Sequence, residues 1–372
     1  MQIFRMTLGI IATAAGLILL APVIILSLPF WLVAFGTRIG SRLLEPRCIA
    51  WNEVFAFDDQ FGWKPKPNLK VHHLADDVFQ LTTDSEGWRG RISLAQSRVV
   101  VLGDSFAFGY GIDDDDFFAN CTPELQVKAI GSNGYNMVQE LMWLEHLAPH
   151  LKDKLVVWFI YLGNDLHENL VPDMHGYRMP FLRSRDGNWE ITNRHLRPEK
   201  WPFTFTLGGG RTDYYEQLAR LCVPGARSSR AYRACEYLIQ RAKQCCERAD
   251  ARLIVISIPE RHQLNSAGVA FLQSLSGNSS LFDPDLPDSQ LGAICRSLAI
   301  QFVALKGRLN ASHYKTHDWH WNRKGHRAVA GILKEITAEH AGRARVRDTE
   351  QVPVLGSGLR IAISPGRMRA DR

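Results

Sequence analysis

Arg98-Val99-Val100-Val101-Leu102-Gly103-Asp104-Ser105-Phe106 is the stretch from which the fold can be read. Three valines and a leucine in succession favour extended backbone, and the run shows no polar alternation. A strand apolar on both faces is buried on both, as in a parallel sheet covered by helices. Gly103-Asp104-Ser105 then turns the chain and leaves a serine hydroxyl at the strand's carboxyl end. Four later segments share the character of this strand: Val127–Ile130, Leu155–Leu162, Arg252–Ile258 and Gln301–Leu305.

Helical patterns lie between these runs. They cover Met137–His150, Ser229–Ala249, Ser289–Leu298 and Asn322–His340, with Asn322 as the N-cap of the last. In the second, Tyr232, Cys235, Leu238, Ile239, Ala242 and Cys246 recur at helical spacing. The alternation predicts a three-layer α/β/α domain over residues 97–340. Its five-stranded parallel sheet is expected in the flavodoxin-like order 2-1-3-4-5. Residues 51–96 read as an extended, irregular lead-in, with Phe61-Gly62-Trp63-Lys64-Pro65-Lys66-Pro67 and a turn-rich Thr82–Gly90. About ninety residues separate the third and fourth strands, where a crossover needs about a dozen. The insertion, about 170–228, reads equally as a surface excursion or as a cap shaping a substrate groove.

The chain has 372 residues, of which 46% are apolar, ample for one large core. Its net charge of +6 is not the footprint of nucleic-acid binding. Residues 341–372 hold seven arginines (343, 345, 347, 360, 367, 369, 372) against Asp348, Glu350 and Asp371. This segment reads as a basic flexible tail, with anionic lipid or glycan binding as the sharper alternative. Seven cysteines (48, 121, 222, 235, 245, 246, 295) leave at least one thiol unpaired in a monomer, and none shows CxxC spacing. Cys245-Cys246 reads as a core-facing thiol beside an exposed one.

No charged residue occurs from Thr7 to Phe35. Leu8 to Leu28 alone reaches the ~20 apolar residues that cross a bilayer as a helix. The stretch is too long for a signal-peptide core, and no small-x-small cleavage site follows. Residues 1–50 therefore read as a single-pass transmembrane helix within 7–35, followed by a juxtamembrane helix. Arg38 and Arg42 lie on one face of the latter and Ile39, Leu43 and Leu44 on the other. Arg38, Arg42 and Arg47 outnumber Arg5, so the positive-inside rule alone places the large domain in the cytoplasm.

Ligands of open α/β sheets bind beyond the carboxyl ends of the strands. Ser105 follows the first strand, Gly131 the second, Asn164 the third, and Asp318-Trp319-His320 the fifth. The topology therefore brings them to one rim. A serine hydroxyl becomes a nucleophile when a base removes its proton, and His320 is the candidate base. Asp318 is the candidate to hold the other ring nitrogen and set the tautomer. Attack on an ester carbonyl builds negative charge on oxygen. The backbone N–H groups of Ser105 and Gly131 and the Asn164 amide are candidate oxyanion donors. Gly131 and Gly134 lack a Cβ and permit close approach.

Gly103-Asp104-Ser105, Gly131, Gly163-Asn164-Asp165 and Asp318-x-His320 resemble the four blocks of the SGNH/GDSL hydrolase superfamily, over roughly Ser97 to Ala338. Phe106 stands where the motif's name has leucine, and Asp318 lies two residues before the histidine where many members have three. The resemblance implies Ser105, Asp318 and His320 as catalytic residues and Ser105, Gly131 and Asn164 as the oxyanion hole. It implies no cofactor and no metal. The anchor and Gly62-Trp63…Pro67-Asn68 resemble membrane-tethered members linked to bacterial surface polysaccharides, including those similar to the alginate acetylation proteins. That likeness implies a bacterial inner-membrane protein with a periplasmic catalytic domain, contrary to the charge rule. It also implies an ester substrate, an O-acetylated glycan or a lipid, and a membrane-bound acyl donor protein as partner.

Taken singly, Ser105 or Asn164 is an ordinary turn residue; it is their joint placement at strand ends that points to chemistry. His317 and His326 compete with His320, which matches the family block. Asp113–Asp116 lacks the glycine and distal glutamate of a calcium loop and reads as a solvated acidic loop. Asp165 reads as a structural hydrogen-bonding residue. There is no P-loop, no GxGxxG after a strand, and Ala107 spoils the α/β-hydrolase elbow. Trp189, Trp201, Trp319 and Trp321 are candidates for stacking on sugar rings, although tryptophans are more commonly buried. Three functions remain open. The first is an esterase acting through acyl-Ser105, and the second an O-acyltransferase passing the acyl group to a cell-surface polysaccharide. The third, a non-catalytic membrane-tethered module, is disfavoured by the complete set of residues.

Overall fold

The apolar runs form a five-stranded parallel sheet: β1 (Val99–Gly103), β2 (Val127–Gly131), β3 (Leu155–Tyr161), β4 (Arg252–Ile258) and β5 (Gln301–Ala304). A computed structural model describes residues 48–49, 51–74, 78–174, 177–193, 195–196 and 211–350. The sheet order is β2-β1-β3-β4-β5, the expected flavodoxin-like order. Every residue of β1, β2 and β3 is buried. Alternate side chains supply two cores. Val100, Leu102, Val156 and Trp158 face α1 (Met137–Leu147), α2 (Ala226–Arg248) and α3 (Leu286–Ser297), while Val99, Val101, Val157 and Phe159 face α4 (Arg323–Glu350). Strand side chains alternate by two, so an uninterrupted apolar strand needs a helical layer on each face.

Several expectations change at the edges of this domain. The lead-in is not irregular. Phe55–Asp58 pairs antiparallel with Gly62–Pro65, and Lys70–Leu74 with Val78–Thr82. In the last strand Val78 and Gln80 are exposed while Phe79 and Leu81 are buried, the two-residue period of a half-buried strand. Asp113–Asp116 is only in part a solvated loop: Asp115 is exposed and Asp113 half-buried. Asp114 and Asp116 are buried; Asp114 takes Arg89 Nε at 2.9 Å, and Asp116 pairs with Arg323 and Arg327 of α4. Arg89 is itself buried and also donates to the carbonyls of Gln80, Phe108, Gly109 and Ile112. The acidic run thus receives cations from segments distant in sequence, which its local composition does not reveal.

Cys245 and Cys246 are both buried, because the apolar stripe of α2 is wide enough to take two adjacent positions. Six described cysteines are free thiols. The insertion contains the hairpin Phe181–Arg185/Asn188–Thr192, turning through Asp186 and Gly187 at positive φ, and the helix Arg211–Leu221. Asn322 caps α4 by accepting from Lys324 and Gly325 N–H. This helix continues to Glu350, into the segment read as a tail, and residues 351–372 lie outside the described residues. Among the described residues no helix is long and apolar enough to cross a membrane. The expected anchor at 7–35 and its juxtamembrane helix lie outside them.

Candidate active site

The turn that carries Ser105 follows from β1. Asp104 ends the strand and caps a single helical turn, Ser105–Phe108, its Oδ1 accepting from Phe106 N–H at 2.9 Å. Gly109 closes that turn in the left-handed region at φ 74°. In the ladder Gly103 lies opposite Gly131. A Cβ on Gly131 would sit 2.7 Å from Ala107 Cβ and 2.8 Å from the backbone oxygens of Asp104 and Gly103. Glycine here lets the end of β2 lie against the turn that carries Ser105.

Ser105 Oγ lies 2.7 Å from His320 Nε2, across 215 residues of chain. The other ring nitrogen, Nδ1, is 2.9 Å from both carboxylate oxygens of Asp318. Burial alone would raise the Asp318 carboxyl, but the adjacent His320 and then Lys315 hold it below its ordinary range. An ionised Asp318 is acceptor only, so Nδ1 carries the proton and Nε2 presents its lone pair to the serine hydroxyl. Ser105 Oγ also lies 3.4 Å from Asp104 Oδ2, a much longer contact, so His320 is the stronger partner. Burial raises the Asp104 carboxyl to about 6, against the opposing pull of Phe106 N–H and His320. Phe106 and Tyr110 pack on the imidazole at 5.1 and 4.7 Å between ring centres.

The competing histidines lie elsewhere. His317 is exposed. His326 is buried and stacked on Phe118, with burial and then Arg89 holding its pKa well down. It is a neutral core histidine. Asp165 accepts from Tyr161 N–H at 2.7 Å and so braces the turn after β3. Asn164 is buried, and its Nδ2 donates to Glu168 Oε2 at 2.9 Å. Among the tryptophans, Trp321 is fully buried and unavailable to a sugar. Trp189 packs on the core, and Trp201 lies outside the described residues. Trp319 is half-buried and stacks on Tyr214 at 5.4 Å.

Sequence reasoning missed three supports of this rim. Glu168 lies four residues after Asn164, on the same helical face, a spacing that is legible in the sequence. Tyr214, from the insertion, left no such signal. Nor did Trp63, whose Nε1 donates to Asn133 O at 2.8 Å while Tyr135 Oη donates to the Trp63 carbonyl. The lead-in thereby holds the loop after Gly131. Among the described residues no group of three or more His, Cys, Asp or Glu side chains is disposed to hold a metal ion.

The fold and site together define a buried serine–histidine–aspartate constellation on the carboxyl rim of a parallel α/β sheet. No protein-family model matches the chain, and no curated protein matches it. Solved structures similar to it include a GDSL-like lipase from Bacteroides thetaiotaomicron, at 12% identity over 68% of this chain and 92% of that chain, TM-score 0.36. A carbohydrate acetylesterase family member from Sinorhizobium meliloti matches at 13% identity over 66% and 99%, TM-score 0.39. A psychrotrophic esterase from a Pseudoalteromonas species matches at 9% identity over 66% and 98%, TM-score 0.36.

Proposed function

We propose that the chain is a serine esterase that forms an acyl-enzyme at Ser105. The observation that carries this reading is the unbroken path Ser105 Oγ–His320 Nε2 at 2.7 Å and His320 Nδ1–Asp318 at 2.9 Å. As Oγ attacks an ester carbonyl, its proton passes to Nε2 and the imidazolium is stabilised by Asp318. Collapse of the tetrahedral intermediate expels the alcohol, which takes that proton from His320. Water then repeats the sequence and releases the acid. Backbone N–H groups of Ser105 and Gly131 with the Asn164 amide are the proposed donors to the oxyanion; one such donor contributes about 3–4 kcal/mol. The proposed substrate is an O-acetylated glycan or a lipid ester near the membrane.

A second reading, acyl transfer to a sugar hydroxyl, uses the same acyl-enzyme. The half-buried Trp319 beside His320, with Tyr214 stacked on it, supports it by offering an aromatic wall to an acceptor sugar. Full-length protein is assayed with p-nitrophenyl acetate, with and without glycan acceptor, beside Ser105→Ala. Unchanged turnover in the alanine variant would sink the mechanism, and acetylated glycan in place of free acetate would select transfer. We also propose anchoring through residues 7–35 in a bacterial inner membrane, with the catalytic domain periplasmic. An engineered cysteine near Ser357 that an impermeant reagent labels on intact cells supports this side; protection from labelling refutes it.

A further inference from the structure

We propose that Glu168 is a positioning residue for the oxyanion donor Asn164: its carboxyl accepts one of the two Nδ2 hydrogens and so leaves the other aimed by the protein instead of by chance. The inference rests on the role given to Asn164 above. Asn164 Nδ2 donates to Glu168 Oε2 at 2.9 Å, whereas Asn164 Oδ1 is buried and has no hydrogen-bond partner among the described residues. Rotation of the amide is therefore held from one side, by Glu168. Glu168 is itself anchored. Its backbone N–H bonds to Asn164 O at 3.0 Å, and its carbonyl takes Asn136 Nδ2 at 3.3 Å. Asn136 is the N-cap of α1, so the donor is tied to the helix that covers the sheet.

The electrostatic setting suits the task. The carboxyls of Asp104, Glu140 and Asp165 and the phenol of Tyr214 are near enough to Glu168 to interact with it electrostatically. Burial, and beyond it the nearby Asp104, raise the Glu168 carboxyl to about 8 against the opposing hydrogen bond from Asn164. At neutral pH Glu168 is therefore mostly uncharged. It can still accept through an oxygen, without setting a full negative charge beside a developing oxyanion. Above about pH 8 it ionises, and repulsion opposes the transition state.

The full-length chain in detergent is assayed with p-nitrophenyl acetate from about pH 6 to about pH 9.5. Glu168→Leu, which cannot accept, lowers kcat by about 10- to 100-fold with KM nearly unchanged. Glu168→Gln keeps an acceptor and no charge; it retains most of kcat and loses the fall in rate above about pH 8. An intact kcat in Glu168→Leu overturns the proposal. So does Glu168→Gln as slow as the leucine variant, or keeping the wild-type alkaline fall; the latter result decides even when the leucine variant does not fold. The contact has a readout independent of turnover. The infrared carboxyl band lost in Glu168→Gln is expected to shift in Asn164→Ala, and an unshifted band refutes the positioning even in a chain that lacks esterase activity.

Discussion

Gly131→Ala tests whether the glycine after β2 is needed to let the nucleophile turn sit where it does. The new Cβ would lie 2.7 Å from Ala107 Cβ and 2.8 Å from the carbonyl oxygens of both Gly103 and Asp104. Carbon–carbon contacts are optimal near 3.5–4.0 Å, so all three are compressed. Two of the three are backbone atoms of the nucleophile turn, which no side-chain rotation can relieve. The ladder also holds Gly103 opposite Gly131, so the strands cannot slide apart locally. Relief must come from Gly103–Ser105 itself. Overpacking of this kind typically destabilises by about 1–3 kcal/mol. Moving Ser105 away from a base at 2.7 Å adds a catalytic loss of about 100-fold in kcat. Full-length protein is compared by thermal melting and by p-nitrophenyl acetate turnover. Gly331→Ala is the comparator: its Cβ meets nothing within 4 Å, and it lies inside α4. There alanine is expected to stabilise by about 0.5–1 kcal/mol. If Gly131→Ala keeps wild-type kcat and melting temperature, the close-approach argument is wrong.

Asp318→Asn leaves the shape intact but allows the wrong tautomer, so kcat is expected to fall by about 10³- to 10⁴-fold, close to the loss in His320→Ala. A loss far smaller than that in His320→Ala removes the orienting role. Arg89→Ala strands the buried Asp114 carboxylate and four carbonyl acceptors, and chemical denaturation is expected to report a loss of about 3–5 kcal/mol; a variant within experimental error of wild type contradicts that. Glu168 gives a pH test of stability with a defined sign. Its folded-state pKa lies above the unfolded one, so below the unfolded value both states are protonated and there is no penalty. Between the unfolded value and about 8 the unfolded state ionises first, and wild-type stability falls as pH rises. Glu168→Gln is therefore expected to gain on wild type in melting temperature from pH 5 to pH 8, and a constant difference would count against the raised pKa.

The sheet was legible because its strands are locally coded. Five apolar runs without polar alternation specify burial on both faces, and short turns after them specify which residues meet at the carboxyl rim. Ser105, Gly131, Asn164, Asp318 and His320 each stand immediately after such a run or beside the last helix, so convergence followed from topology alone. Glu168 was readable in principle, since its partner is four residues away on one helical turn. The lead-in, the acidic run and the paired cysteines were not.

Their surroundings are built by residues remote in the chain. Arg89 meets Asp114 and Arg327 meets Asp116, so whether an aspartate is solvated depends on contacts 25 and 211 residues apart. Trp63 reaches Asn133 across 70 residues, and Tyr214 meets Trp319 only because the insertion folds back. Composition and periodicity report the state of a residue's own segment; burial and pairing report what packs against it. From the sequence alone come the strand set, the rim and the chemical types placed on it. The 2.7 Å bond from Ser105 to His320, the tautomer that Asp318 sets, and the grip of Glu168 on Asn164 exist because the open sheet and the helices packed on it hold distant segments at hydrogen-bond distance.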